Sequence, residues 1–226
     1  MAQKQYKAAL EKVDANKEYD ILEAIKLAKE ISYEKFDTTF NLSINLNLNT
    51  AHADQQLRGS IVLPHGTGNI AKVLVVADHD VHEEAKAAKA DFVGGIEIME
   101  KIKNENWFEF DFIVTTPSFM PQLAKYGKLL GPKGLMPNPK LGTVTTKIEK
   151  VVSDIKKGQV EYRTDKEGIV SINFGKKSFT DEKLAENFKL LYNTVKSLRP
   201  AAVKGTYIQT TSISTTMGPG IKVKGE

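Results

Sequence analysis

Hydrophobic and polar residues alternate most regularly between positions 40 and 49. There, Phe, Leu or Ile takes every second position, and Asn or Ser fills the positions between. This period of two predicts a β-strand with one buried face and one polar face. A second short strand is predicted for residues 59–64, where Pro64 ends the pattern. The first part of the chain therefore contributes strands to a sheet that is covered on one side.

Two helices are predicted before these strands. Residues 4–14 form a short helical pattern, and the apolar residues of the stretch 21–31 recur at helical spacing. Asp20 stands where an N-cap belongs, and Glu23 stands three residues later as its capping-box partner. We therefore expect the Asp20 side chain to cap the second helix.

The pattern changes after the two-glycine segment at residues 65–69. Residues 72–78 form a continuous apolar strand, and a second strand is predicted at 110–116. The remaining patterns of this region are helical, at 81–91, at 96–104, from Pro117 onward and at 145–158, where Gly158 ends the last helix. Strands buried on both faces that alternate with helices indicate a parallel α/β layer.

Alternation returns from residue 159. It predicts a hairpin over 159–175 that turns at 165–168, a helix from Thr180 to about Leu198, and a last strand rich in hydroxyl side chains at 206–217. The fold class is therefore α/β (α+β). We expect a discontinuous two-layer domain formed by residues 1–66 and 159–226, and an inserted three-layer domain at 67–158. The crossings near 65–68 and 157–160 would form a double hinge. A single continuous α/β domain is the alternative.

The composition excludes several classes of site and of protein. The chain has 226 residues and no cysteine, which excludes disulfides, thiolate metal sites and cysteine nucleophiles and fits a reducing compartment. No run approaches the ~20 apolar residues of a membrane span, and the first residues have no apolar signal core. We therefore expect a cytoplasmic protein without a membrane partner.

The motifs of common enzymes are absent or incomplete. The glycines of residues 65–69 precede a strand, whereas a dinucleotide-binding loop follows one, and residues 175–178 match only the end of a phosphate-binding loop. His79 and His82, with Asp78 and Asp80 beside them, read better as a strand-end loop than as metal ligands. We expect no enzyme, no metal and no cofactor. A nucleotide-dependent enzyme that uses the middle α/β domain is the alternative, and a DNA-binding repressor is a third hypothesis without motif support.

Basic residues are concentrated in two regions. Residues 125–147 contain lysines, prolines and glycines but no acid, and residues 187–225 likewise contain no acid. Such regions suit the neutralisation of phosphates, because lysine contacts phosphate without reading base sequence. The hydroxyl-rich strand that ends at Met217 adds donors and acceptors for ribose and phosphate. These features suit an RNA ligand, and the alternative is that the basic regions only keep the chain soluble.

Several long segments resemble one family. The stretch "KYGKLLGPKGLMPNPKLGTVT" at 125–145 is similar to the signature of the large-subunit ribosomal protein L-one family, in its bacterial type. Its other characteristic stretches follow in the right order, namely "YEKFDTT" at 33–39, "LRGSIVLPHGTG" at 57–68, "VEYRTDKEGIV" at 160–170 and "STTMGPG" at 214–220. The resemblance covers essentially the whole chain.

The resemblance implies both an architecture and a role. Members of the family have an RNA-binding domain built from both chain ends and an inserted Rossmann-like domain on a flexible hinge. They bind large-subunit rRNA at the mobile side stalk and assist the release of deacylated tRNA from the exit site. Bacterial members also bind their own operon mRNA and repress its translation. We accordingly expect rRNA, exit-site tRNA and this mRNA as partners, and a monomer when free.

The resemblance also implies particular contacts. The rRNA and mRNA contacts carried over to this sequence are Lys35, Phe36, Arg58, Arg163, Lys166, Thr210, Thr216, Met217 and Gly218. Thr210 stands where the family commonly has serine, which preserves the hydroxyl. Three lysines of the basic stretch, Lys128, Lys133 and Lys140, are candidates for a contact with tRNA or a second RNA. Whether the stretch contacts tRNA, rRNA or neither is left open by the sequence.

Overall fold

The chain forms two compact units, as a computed structural model shows for residues 2–50, 52, 55–78, 81–201 and 203–225. One unit combines residues 1–68 with 160–226, and the other comprises residues 69–159. Both contain helices and sheets, so the predicted mixed α/β class is confirmed. No helix in the described part of the chain combines the length and the apolar character of a membrane-spanning segment.

The first unit has an antiparallel four-stranded sheet formed by β1 (Thr39–Leu46), β7 (Ile169–Lys176), β8 (Ile208–Thr215) and β9 (Ile221–Lys222). Their order across the sheet is β7-β1-β8-β9. Helices α2 (Ile21–Ile31) and α8 (Asp181–Ser197) pack their apolar residues against one face. Along β1 every second residue is buried against them, as the alternation predicts.

Three further elements complete this unit. Helix α1 (Ala2–Glu11) precedes α2. Strands β2 (Arg58–Val62) and β6 (Gln159–Arg163) pair in a separate two-stranded sheet. Leu57, Leu63 and Tyr162 from this region join the same hydrophobic core as β1 and α8.

The second unit has a parallel three-stranded sheet in the order β4-β3-β5. Strands β3 (Val73–Val76), β4 (Phe92–Gly94) and β5 (Phe112–Thr115) separate two hydrophobic clusters. One cluster includes residues of α3 (His82–Ala87) and α7 (Ile148–Lys156), and the other those of α4 (Ile96–Glu105), α5 (Met120–Ala124) and α6 (Gly127–Leu130). Helices therefore cover both faces, which explains why all of β3 is buried.

Some local predictions are wrong. The segments at 159–163 and 169–176 are strands, but they do not form a hairpin, because β6 pairs with β2 and β7 with β1. The turn between them is closed by an isolated bridge between Thr164 and Val170 and by hydrogen bonds between Asp165 and Ile169. The Asp20 side chain makes no capping hydrogen bond and instead lies 3.6 Å from the ammonium group of Lys224.

Other differences concern short elements. The helix expected from Pro117 begins at Met120, and the basic stretch contains α6 and a 3₁₀ turn at Pro139–Leu141. Strands β4 and β9 were not predicted, since three and two residues are too few to show a period. His79 and Asp80, considered and set aside as metal ligands, lie outside the described residues.

Candidate nucleic-acid interface

The end of β8 is joined to the segment that precedes β1. The Thr39 N–H donates a hydrogen bond of 3.1 Å to Oγ1 of Thr216, one residue past the end of β8. The hydroxyl of Tyr33 donates to the carbonyl oxygen of Met217 at 3.0 Å. These contacts bring the segment that carries Lys35 and Phe36 beside the segment of Thr216, Met217 and Gly218. Five of the predicted contact residues therefore lie in one surface region, which we call the strand-end surface.

A carboxylate lies within this surface. Oε1 of Glu34 accepts hydrogen bonds from the Met217 N–H at 3.2 Å and from Oγ1 of Thr215 at 3.3 Å. Its Oε2 accepts a third from the Ser32 hydroxyl at 2.6 Å. Partial burial of the carboxylate acts to raise the Glu34 pKa, but the hydrogen bonds outweigh it and leave the pKa below its ordinary value. The carboxylate is thus held in its charged form.

Gly218 is required by close packing in the same region. A Cβ atom on this residue would lie 2.3 Å from Oγ1 of Thr215, the hydroxyl that donates to Glu34. Real Cβ atoms do not approach a heavy atom so closely. The role of Gly218 that follows from the structure is to let the chain turn tightly against Thr215.

Two large apolar side chains are exposed on the strand-end surface. Phe36 is 54% exposed and Met217 is 44% exposed, and Lys35 beside Phe36 is exposed as well. Aromatic and polarizable apolar groups next to a cation suit contact with a base or ribose rather than with phosphate alone. The surface therefore offers chemically distinct contacts to an RNA ligand.

Arg163 and Lys166 line a cleft of about 370 Å³ together with Thr50, Gln56, Thr164 and Asp165. The cleft is ordered by local hydrogen bonds. Thr50 donates to the carbonyl oxygen of Lys166 at 2.5 Å, and Oδ1 of Asp165 accepts from the N–H groups of residues 167 and 169. Both basic side chains are exposed at its edge.

The cleft lies toward the other end of the sheet from the strand-end surface. Asn45 of β1 pairs with Ile169 of β7 and with Thr210 of β8, whereas Thr39 is near Thr216. Thr39 and Asn45 are six positions apart along an extended strand, which corresponds to roughly 20 Å. The predicted contacts thus form two groups, with Thr210 in the second.

An uncharged polar surface connects the two groups. On the sheet face opposite the helices, Asn41 pairs with Ser214 and Asn173, and Ser43 pairs with Ser212 and Ser171. The Ser43 and Ser171 hydroxyls are 3.3 Å apart. Side chains of this kind donate to and accept from ribose hydroxyls and phosphates without repelling either.

Arg58 is placed differently from the other predicted contacts. Its guanidinium group donates twice to Oε1 of Glu161, at 3.2 and 3.1 Å, between the paired strands β2 and β6. Both side chains are about a third exposed. This ion pair links β2 to β6, and an RNA contact of Arg58 stays a prediction.

The lysines of the basic stretch are exposed in the second unit. Lys128 lies on α6, and the Lys133 ammonium lies 4.0 Å from the centroid of the Phe108 ring. The Lys140 N–H donates to Oδ1 of Asn138, which fixes the start of the 3₁₀ turn. Leu135 and Met136 are half-buried against the core, so they anchor the stretch. The basic stretch is therefore an ordered segment that presents its lysines to solvent.

Comparisons with known proteins show the family of the chain. The family model described as "Ribosomal protein L1p/L10e family" matches residues 28–219. The chain belongs to this ribosomal protein family. It is 54% identical over 221 residues to the large ribosomal subunit protein uL1 of Mycoplasma capricolum, and 57% identical over 212 residues to that of Mesoplasma florum. These alignments cover 98% and 94% of the chain, and 97% and 93% of the relatives.

A member of the L1p/L10e family is a ribosomal protein and not an enzyme. The match to uL1 of Mycoplasma mycoides, 54% over 221 residues, supports the same assignment. Within the described residues, no group of three or more His, Asp or Glu side chains could hold a metal ion. The predictions of the family and of a non-enzymatic role are confirmed by the comparisons.

Sequence reasoning missed the side chains that organise the strand-end surface. Tyr33 and Glu34 stand in the stretch that carries the family resemblance, yet neither was selected as a candidate. An acidic residue directly before Lys35 and Phe36 was the available indication. The Glu34 carboxylate is satisfied by donors of the protein itself, which no pattern in the sequence indicates.

Proposed function

We propose that this L1p/L10e family protein is a constituent of the large ribosomal subunit that binds large-subunit rRNA through its first unit. It then works on the ribosome in the bacterial cytoplasm. The observation that carries the proposal is the strand-end surface, where hydrogen bonds join two distant segments and each segment carries an exposed apolar side chain, Phe36 or Met217. The names of the relatives, large ribosomal subunit protein uL1, support it.

The surface supports RNA binding by pre-organisation. Its segments are already joined by Thr39–Thr216 and Tyr33–Met217 hydrogen bonds, so little order has to be gained when RNA binds. Arg163 and Lys166 supply phosphate contacts at the other end of the sheet. A bound RNA that spans both groups would lie along the polar sheet face.

The proposal is tested by binding of an rRNA side-stalk fragment to Met217→Asp. A carboxylate at this exposed position should weaken binding by about 2 kcal/mol or more, a hot-spot effect. Leu190→Asp is the matched control, because Leu190 is a similarly exposed apolar residue, at 37%, on α8. Duplex DNA should not compete. Equal affinities for both variants and the parent would refute the strand-end surface.

A finer proposal concerns tRNA. We propose that the basic stretch contacts exit-site tRNA when the side stalk moves, and that it assists release of the deacylated tRNA. The exposure of Lys128, Lys133 and Lys140 on an ordered support favours this role. The motion would bend the chain at the crossings near 65–68 and 157–160, which act as a double hinge.

The tRNA proposal predicts a separation of effects. Replacing Lys128, Lys133 and Lys140 together by alanine should slow tRNA release and leave the affinity for the rRNA fragment unchanged. The control replaces the same number of exposed lysines on other helices of this unit, Lys86, Lys103 and Lys150. Unchanged release in the first variant, or equal slowing in both, would contradict the role of the basic stretch.

The third proposal is repression of the protein's own operon. We propose that the strand-end surface also binds the operon mRNA, at a structure similar to the rRNA site. One surface for two RNAs predicts mutual competition, and Met217→Asp should weaken both complexes by the same factor. If the mRNA stays bound in the presence of saturating rRNA fragment, it uses a different surface.

A further inference from the structure

Met217 is held by two side chains that the family resemblance did not assign. Its N–H donates to Oε1 of Glu34 at 3.2 Å, and its carbonyl oxygen accepts from the Tyr33 hydroxyl at 3.0 Å. The backbone of Met217 lies two residues past the end of β8 and has left the ladder with β1. Side chains of Tyr33 and Glu34 thus replace the hydrogen bonds that the sheet no longer provides.

Charge alone would make Glu34 unfavourable at this position. A carboxylate beside Lys35 and close to Met217 repels the phosphates of an RNA ligand and offsets the nearby cation. Its oxygens nevertheless accept three hydrogen bonds, from Ser32, Thr215 and Met217. The negative charge therefore points into the protein's own donors, which suits a structural role at the interface.

Lys177 contacts Ser32, which is one of the hydrogen-bond donors to Glu34. Its ammonium donates to the hydroxyl of Ser32 at 3.0 Å and to the carbonyl oxygen of Ser32 at 3.2 Å. The Ser32 hydroxyl in turn donates to Glu34. A continuous chain of contacts thus runs from Lys177 through Ser32 and Glu34 to the backbone of Met217.

We infer that Glu34 and Tyr33 are positioning residues of the RNA-binding site, which fix the backbone of Met217 so that its side chain is pre-ordered for the ligand. Neither residue has to touch the RNA. The inference rests on the proposed rRNA interface and adds to it the origin of its order. It assigns the acid a favourable effect on the binding of an anion.

The sign of the effect separates this inference from simple electrostatics. Glu34→Ala removes a negative charge, so electrostatics alone predicts tighter RNA binding. The positioning role predicts binding of the rRNA fragment weaker by about tenfold, the equivalent of ordering one backbone residue. Glu23→Ala is the matched control, because Glu23 is an exposed glutamate on α2 and its loss changes the net charge equally.

Two conservative variants sharpen the test. Glu34→Gln keeps an oxygen that accepts from the Met217 N–H, so it should restore most of the affinity lost in Glu34→Ala. Tyr33→Phe removes one hydroxyl and should weaken binding by a smaller factor. Hydrogen exchange of the Met217 amide in the free protein should accelerate in Glu34→Ala and stay unchanged in Glu23→Ala.

The outcomes distinguish the inference from the proposed function when Met217→Asp is measured beside these variants. If Met217→Asp loses affinity while Glu34→Ala binds as tightly as the parent or more tightly, the positioning role is wrong and the interface stands. If Met217→Asp binds normally, the interface and the positioning role are both overturned. Weakened binding by Glu34→Ala, with faster exchange at Met217 and a normal Glu23→Ala, confirms the inference.

Discussion

Asn187 Nδ2 donates a hydrogen bond of 3.0 Å to the carbonyl oxygen of Gly66, at the start of the crossing into the second unit. The same amide donates to the Phe174 carbonyl oxygen at 2.8 Å, and its oxygen accepts from the His65 N–H at 3.3 Å. Asn187 is completely buried on α8. The side chain therefore ties the first unit's end of the crossing to β7 and to the helix.

Asn187→Ala should destabilise the protein by about 3 kcal/mol, because the buried carbonyl oxygen of Phe174 and the part-buried Gly66 carbonyl oxygen and His65 N–H lose their partner. The free energy of unfolding, measured with urea, checks this value. Asn193→Ala is the control, since Asn193 is exposed on the same helix. A loss below about 0.5 kcal/mol would show that water or backbone replaces the amide without cost.

Glu34 predicts an acid dependence of stability. Partial burial acts to raise its pKa, but hydrogen bonds from Ser32, the backbone and Thr215 outweigh it, so the pKa in the folded protein is below its ordinary value of 4.5. Because the pKa is lowered in the fold, the contribution of Glu34 to the free energy of unfolding is complete above the pKa of the unfolded chain. It is lost as the pH falls through the pKa of the folded protein. The stability difference between the parent and Glu34→Gln should therefore be present at pH 7 and shrink below about pH 4.5. A difference independent of pH would contradict the ionic role.

Tyr207 predicts an alkaline dependence. Burial raises its pKa to about 12, with a further rise from Tyr162 and a smaller opposing effect of Arg199. Its hydroxyl has no hydrogen-bond partner within the described residues. The fold favours the neutral form of Tyr207. Its contribution to the free energy of unfolding is therefore complete below the unfolded pKa of about 10, and it is lost as the pH rises through the folded pKa of about 12.

Tyr207→Phe should remove part of this alkaline loss. Near pH 8 the variant should be as stable as the parent or more stable by about 1 kcal/mol, because a buried hydroxyl without a partner is unfavourable. Urea unfolding at pH 8 and pH 11 measures both effects. A variant less stable than the parent at pH 8 by more than about 1 kcal/mol would indicate that the hydroxyl is satisfied.

Arg163 and Lys166 predict a specific salt dependence. If each neutralises one phosphate, the double replacement by alanine should make the plot of log affinity against log salt less steep by about 1.5. Lys26→Ala with Lys183→Ala is the control, since both lysines are exposed on the helices α2 and α8. An unchanged slope in the first variant would remove the cleft from the proposed interface.

The regular elements could be predicted because their pattern reflects burial directly. Strand β1 shows this most clearly, since its buried and half-buried residues alternate without interruption. The continuous apolar run at β3 likewise indicates a strand covered on both faces. The Lys35–Phe36 and Thr216–Met217 segments were predicted through the family resemblance, and not through the period of any element.

Strand partners and side-chain networks could not be predicted in this way. The stretch around residues 165–168 is a tight turn, where Gly168 has a φ of 83° and a Cβ would lie 2.9 Å from the Leu46 carbonyl oxygen. A turn alone does not decide which strands pair. Here β6 pairs with β2 and not with β7. The contact between Glu34 and Met217 joins residues 183 positions apart and has no local signature.

Hydrogen exchange of the protein, free and bound to the rRNA side-stalk fragment, tests whether the first unit holds the rRNA site. We expect RNA to protect residues 35–39, the cleft residues 163–166 and the strand end at 210–218. Exchange in α4 and in the basic stretch at 125–147 should stay unchanged under the same conditions. Protection confined to residues 125–147, with none at 35–39 or 210–218, would contradict the assignment of the rRNA site to the first unit.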